Sequence, residues 1–122
     1  MSVARVIRLN ELVKRALSVI IEREFTHADV GWVTLSRVVV SKDLQHARVF
    51  FTVLGGPDQE QHALERLRHA QAFIRAQLAH AVRMRYTPAL IFEIDEELKT
   101  AMRVDALLNR LTPGEQPAKP PQ

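Results

Sequence analysis

The spacing of apolar residues along this chain switches back and forth between the 3.6 period of a helix and the 2 period of a strand, and few folds accept that order. Leu9, Leu12, Val13, Ala16, Leu17, Ile20 and Ile21 recur three and four apart, which predicts an amphipathic helix over Val6–Glu24. His27-Ala28-Asp29-Val30-Gly31 breaks it. Trp32–Ser41 is rich in Val and Thr and alternates at Val33 and Leu35, as a half-buried strand does. The alternation slips at Val38-Val39-Val40, which predicts a bulge or burial on both faces. Lys42-Asp43-Leu44-Gln45 reads as a hairpin turn, and His46–Leu54 as a second strand that pairs antiparallel with the first. Ala47, Val49, Phe51 and Val53 share one face of that strand, and Arg48, Phe50 and Thr52 the other.

After Gly55-Gly56-Pro57, Asp58 is the expected cap of a second, long helix. Its apolar stripe is Ala63, Leu64, Leu67, Ala70, Ile74, Leu78, Ala81 and Val82. A helix this long in so small a chain is a candidate for a kink, and the small-residue step Ala70-Gln71-Ala72 is the expected place. Pro88 holds Thr87 extended ahead of a third strand, Ala89–Ile94. Asp95 then caps a last helix, Glu96–Leu111, whose apolar side is Met102, Val104, Leu107, Leu108 and Leu111. Residues 112–122 hold four prolines and almost nothing apolar, so a disordered tail is expected there. Residues 1–111 thus form one α+β domain, a three-stranded sheet with helices on one face. At 122 residues and 47% hydrophobic, the chain has material for one core and no second domain. Without cysteine it has no disulfide, and without a long apolar run it has neither a signal peptide nor a membrane span, so a cytoplasmic location is expected.

The charge is unevenly placed. Residues 1–54 carry eight basic and five acidic groups, residues 55–92 five and three, and residues 93–122 four and six, giving +3, +2 and −2. The positive field lies on the first three-quarters of the chain, and arginine supplies most of it. Such a balance favours a polyanionic partner, since guanidinium groups bind phosphate bidentately.

No constellation for catalysis stands out. His27, His46, His62, His69 and His80 lack the i, i+4 spacing that suits zinc. Glu93, Asp95, Glu96 and Glu97 are explained by capping and by the helix dipole. There is no phosphate loop, no dinucleotide fingerprint and no nucleophile motif, so no cofactor, metal or small-molecule substrate is expected. The candidate RNA contacts are Arg5, Arg8, Lys14 and Arg15 on the first helix, Lys42 at the turn, Arg48 on the second strand, and Arg68, Arg75, Arg83 and Arg85 on the long helix and its exit. Structural pairing with carboxylates competes at Arg8 and Arg75. Phe50 offers either a stacking face for a base or, more commonly for such a residue, packing.

Three segments carry a resemblance. They are Val33-Thr34-Leu35-Ser36-Arg37-Val38-Val39-Val40-Ser41-Lys42-Asp43-Leu44-Gln45-His46-Ala47-Arg48-Val49, Leu67-Arg68-His69-Ala70-Gln71-Ala72-Phe73-Ile74-Arg75, and Met84-Arg85-Tyr86-Thr87-Pro88-Ala89-Leu90-Ile91-Phe92 followed by Asp95. With the opening Arg5-Val6-Ile7-Arg8 helix they resemble the ribosome-binding factor A family over about residues 5–110. The resemblance implies a KH-like (type II) domain, ordered α-β-β-α(kinked)-β with a C-terminal helix. It also implies a monomeric factor that binds the free 30S subunit and assists late maturation and processing of 16S rRNA. In that family an interrupted helix with an Ala-x-Gly step replaces the GxxG loop of ordinary KH domains. Here the step is Ala70-Gln71-Ala72, without the glycine. A protein–protein adaptor with an acidic partner is the alternative that the charge leaves open.

Overall fold

The structure is a computed structural model that describes residues 2–111, apart from the side chain of Leu111. The tail expected at 112–122 lies outside the described residues.

Helix α1 spans Val3–Glu24, opening three residues before the apolar period does, because Ser2 caps it by accepting a hydrogen bond from the Arg5 backbone N–H at 3.2 Å. A four-residue helix follows, α2 at His27–Val30, where the sequence shows only a break: one turn is too short to display a period. Thr26 caps α2 through the Asp29 N–H, and Gly31 ends it at φ +79°. A Cβ on Gly31 would lie 2.5 Å from Nε2 of Gln59, a flexible tip that can move aside, so it is the positive φ that calls for glycine there.

Strand β1 (Trp32–Val40) pairs antiparallel with β2 (His46–Leu54), and β3 (Ala89–Ile94) pairs parallel with β2, giving the order β1-β2-β3. The bulge falls at Ser36, between Leu35 and Arg37, two residues ahead of the predicted slip. It reverses the parity of β1, so Leu35 before it and Val38 and Val40 after it all face the core. In the turn, Asp43 accepts hydrogen bonds from the Ser41 hydroxyl and the Gln45 N–H, and Leu44 takes φ +62° with its side chain against the core.

Between β2 and β3 run α3 (Pro57–His69) and α4 (Gln71–Ala81). Gly56, not Asp58, occupies the cap of α3: Pro57 takes the first helical position, which its ring suits, and leaves Asp58 inside the first turn without a side-chain cap bond. The helix is interrupted at Ala70, whose φ −93° and ψ 9° leave the helical region. Helices α1, α3 and α4 cover one face of the sheet, burying Val13, Leu17 and Ile20 of α1, Leu67, Ile74 and Leu78 of the broken pair, and Val49, Phe51 and Phe92 of the strands. Helix α5 (Glu96–Leu111) opens at Asp95, whose carboxylate accepts the Leu98 N–H at 2.9 Å. Its first turns reach the outer sheet face, where Lys99 and Met102 border the same hollow as Thr34 and Thr52. Its later apolar residues, Met102, Val104 and Leu107, stay about half exposed, so the last helix covers only one end of that face.

Candidate nucleic-acid interface

With Val13, Leu17, Ile20 and Ile21 committed to the core, a rotation of about 100° per residue sends Arg8 and Arg15 to the opposite side of α1. Residues 3–16 hold four cations, Arg5, Arg8, Lys14 and Arg15, and a single acid, Glu11. Lys42 lies beside the opening of this helix: it lines one hollow with Val6, Ile7 and Leu9, because the Asn10 side chain accepts the Val40 N–H at 3.0 Å and ties this end of α1 to the hairpin. Among the described residues, none of these five side-chain cations has a protein partner. Arg8 and Arg15 lie opposite the core, while Arg5 and Lys14, nine residues apart, flank them on opposite sides of α1, so the positive charge wraps around the helix.

The arginines of the long helical segment fare differently. Arg68 is exposed beside the rim of β3 and acts on Glu93 through space. Arg75 donates from Nε and Nη2 to the carbonyl oxygen of Thr87, at 3.0 and 2.7 Å. Its partner is a backbone carbonyl, not a carboxylate, and the bond pins the chain ahead of Pro88. Arg85 lies over the ring of Tyr86 at 5.7 Å, and Arg83 is exposed with no partner among the described residues.

On the outer sheet face the register decides the arrangement. Arg37, Phe50 and Glu93 stand in a row across the three strands, and Arg48 precedes Phe50 by two residues on the same face. Arg48 donates to both oxygens of Glu93, at 2.7 and 2.9 Å. That bond raises the guanidinium pKa and lowers that of Glu93 below the usual carboxylate range. Arg37 lies 4.1 Å and Arg48 4.8 Å from the centre of the Phe50 ring, which is only 6% exposed. Phe50 is therefore roofed by two guanidinium groups and presents no free stacking face. Beside it, the hydroxyl of Ser36, the bulge residue, donates to Asp95 at 2.5 Å. This bond is the main cause of the depressed Asp95 pKa, with the Leu98 N–H and the Arg37 charge adding to it.

Among the described residues, no three histidines or carboxylates approach closely enough to hold a metal ion, and no helix is long and apolar enough to cross a membrane. His62 meets the Asp29 carbonyl at 2.8 Å and His27 stacks on Trp32, while His46, His69 and His80 are exposed.

The family model described as Ribosome-binding factor A matches residues 5–108. The chain belongs to the ribosome-binding factor A family. It is similar to Ribosome-binding factor A of Natranaerobius thermophilus, 37% identical over 94% of this chain and 88% of that one. The crystal structure of ribosome-binding factor A from Thermus thermophilus superposes with a TM-score of 0.64 at 30% identity, covering 71% of this chain and 92% of that one. Coordinates of the Thermus thermophilus factor fitted into a cryo-electron-microscopy map of a 30S–RbfA complex superpose with a TM-score of 0.61 at 30% identity, covering 72% and 92%.

The fold is the KH-like one of ribosome-binding factor A, α-β-β-α-β with a C-terminal helix and a mixed three-stranded sheet. Within the step Ala70-Gln71-Ala72 the interruption falls on the alanine ahead of Gln71, at a negative φ that alanine adopts without strain. The break turns Gln71 toward β3, where its side chain accepts the Leu90 N–H at 2.9 Å. Sequence reasoning singled out neither this role of Gln71 nor Arg37. For Arg37 the signal was available: the bulge that shifts Val38 to the core also turns Arg37 outward, opposite Phe50.

Proposed function

We propose that this chain is an assembly factor that binds the free 30S subunit through its 16S rRNA and assists late maturation and processing of that rRNA, by binding without catalysis. One observation carries the reading: the cations Arg5, Arg8, Lys14, Arg15 and Lys42, on α1 and on the turn tied to it, have no protein partner among the described residues to give up for phosphate. Membership of the ribosome-binding factor A family, and the 30S complex of the Thermus thermophilus relative, support the same partner. Arg68 and Arg83 extend the contact, and Arg48, Arg75 and Arg85 join it only at the expense of Glu93, Thr87 and Tyr86. Residues 1–111 act as one RNA-binding domain, a monomer working in the cytoplasm, with no residue in a catalytic role and no cofactor.

The test is the affinity for purified 30S subunits across a salt series. Each phosphate neutralised adds about 0.7 to 0.9 to the slope of log affinity against log salt, so a set of several cations gives a slope of several. A flat response sinks the reading. An acidic protein partner would leave binding indifferent to free 16S rRNA as competitor, whereas RNA binding is competed away. In cells, removal of the protein leads to free small subunits that carry unprocessed 16S rRNA.

A further inference from the structure

We propose that Trp32, backed by His27, is a stacking site for one unpaired nucleobase. The inference rests on the RNA-binding reading and adds to it a second kind of contact, with a base instead of phosphate.

Trp32 is the only tryptophan of the chain and is 60% exposed. Exposure alone says little, since folded proteins leave much apolar surface in water. What matters is that the ring already has a stacking partner. Its centre lies 3.4 Å from that of His27, with 27° between the planes. His27 is itself fixed on α2, between the Thr26 cap and Gly31. One face of the indole is thus covered by a positioned ring while most of the side chain still meets water. A ring that already rests against a neighbour has fewer orientations to give up when a second ring stacks on its other face.

The surroundings suit a base more than an apolar side chain. Trp32 opens β1, an edge strand of the sheet, so alternate backbone N–H and C=O groups of that strand turn away from β2. On that side the ring borders a hollow that mixes the apolar Ile21, Phe25 and Leu35 with the oxygens of Ser18, Glu22 and Thr34, which can meet the polar edge of a base. On the other it borders a hollow with Thr52, Lys99 and Arg103. Lys99 is spent on Glu60 at 2.8 Å, but Arg103 has no partner among the described residues and is placed for the adjoining phosphate. The nine residues of β1 separate Trp32 from the Lys42 end of the molecule, roughly 26 Å at the usual strand rise. The base site and the cations at the far end, Arg5, Arg8 and Lys42, therefore meet different nucleotides, while Lys14 lies one turn from Ser18 beside the base site. A base within a duplex has both faces stacked already, so the site selects single-stranded RNA.

With one tryptophan and one tyrosine in the chain, indole emission reports on Trp32 alone. The probes are a short single-stranded oligoadenylate and an RNA duplex of the same length. Oligoadenylate should quench the emission and the duplex should not. Trp32→Ala should weaken oligoadenylate binding roughly tenfold, and Trp32→Phe, which keeps a stacking ring, should retain most of the affinity. Both variants are checked for an unchanged thermal transition, expected for so exposed a side chain. Absence of quenching, or wild-type oligoadenylate affinity in Trp32→Ala, overturns the inference. If 30S binding stays steeply salt-dependent in that case, the stacking site alone falls. If neither the subunit nor the oligonucleotide binds, the functional reading falls and takes the site with it.

Discussion

The outer surface of α1 and the outer face of the sheet carry the same kinds of residue in opposite states. On α1, Arg5, Arg8, Lys14 and Arg15 stand without protein partners among the described residues. On the sheet, Arg37 and Arg48 are folded down over Phe50 and tied to Asp95, Glu97 and Glu93. A guanidinium on the sheet has its carboxylate delivered by strand register, because Glu93 on β3 and Arg37 on β1 both pair with Phe50 on β2. The guanidinium groups of the first four turns of α1 have no neighbouring strand to deliver one, and Glu11 is the only acid among residues 3–16; only at the far end does Arg23 find Glu24. Counting arginines therefore overstates a phosphate-binding surface. What counts is which of them the fold has left unspent.

The sharpest way to break this contrast is to reverse the unspent charges. Arg8→Glu with Arg15→Glu should lower 30S affinity roughly a hundredfold at moderate salt and reduce the salt slope by about two, since each removes a phosphate contact and adds a repulsion. Unchanged affinity would move the interface elsewhere. The sheet face predicts the converse, a loss of stability without loss of binding. Asp95→Ala removes a buried acceptor of the Ser36 hydroxyl and the cap of α5, and should cost about 2 kcal/mol in a denaturant titration. Its 30S affinity, measured well below the melting temperature, should match wild type.

Gln71→Ala tests the helix break between these two regions. It leaves the Leu90 N–H without its acceptor at a partly buried position, with an expected cost of about 1 to 2 kcal/mol. The smallest effect is expected at Glu93→Gln, which frees Arg48: under about 1 kcal/mol in stability, because the pair is largely solvated, and a 30S affinity no lower than wild type. The pH dependence sharpens this last comparison. Glu93 and Asp95 are both held below their ordinary values of 4.5 and 3.8, so what they contribute is fully present above those values. It is lost as the pH falls below those values and acid protonates them in the folded state. Glu93→Gln removes its own share of that acid-sensitive stability and leaves the share of Asp95.

Most of the fold was legible because burial imposes periods. The helix and strand spans differ from those read off the sequence by a few residues at their ends, and Asp95 caps α5 as its position suggests. The bulge was legible only to within an interval. Apolar parity shows that β1 changes register between Leu35 and Val38, but not that Ser36 is the extra residue, which a hydrogen bond to Asp95, far along the chain, helps to hold. Asp58 is a good capping residue at a plausible place, yet Pro57 sets the helix start ahead of it. Exposed arginine is visible in a sequence, but whether it is spent is a property of strand register. The His27–Trp32 stack was not legible either, since it depends on one turn of helix too short to leave a pattern.

The parallel pairing of β3 with β2 bears on how the protein is made. The two strands that form a local hairpin are complete at Leu54, but the strand that closes the other side of β2 begins only at Ala89, after the 34 residues 55–88. At about 5 to 20 residues per second, that interval lasts roughly 2 to 7 s during synthesis. Throughout it the far rim of β2 has no neighbour, with Val49 and Phe51 not yet buried beneath the full set of helices. A nascent chain in that state offers an open pairing edge to any other strand nearby. The protein's most vulnerable moment thus comes on the translating ribosome, before residues 89–122 of its own sequence exist.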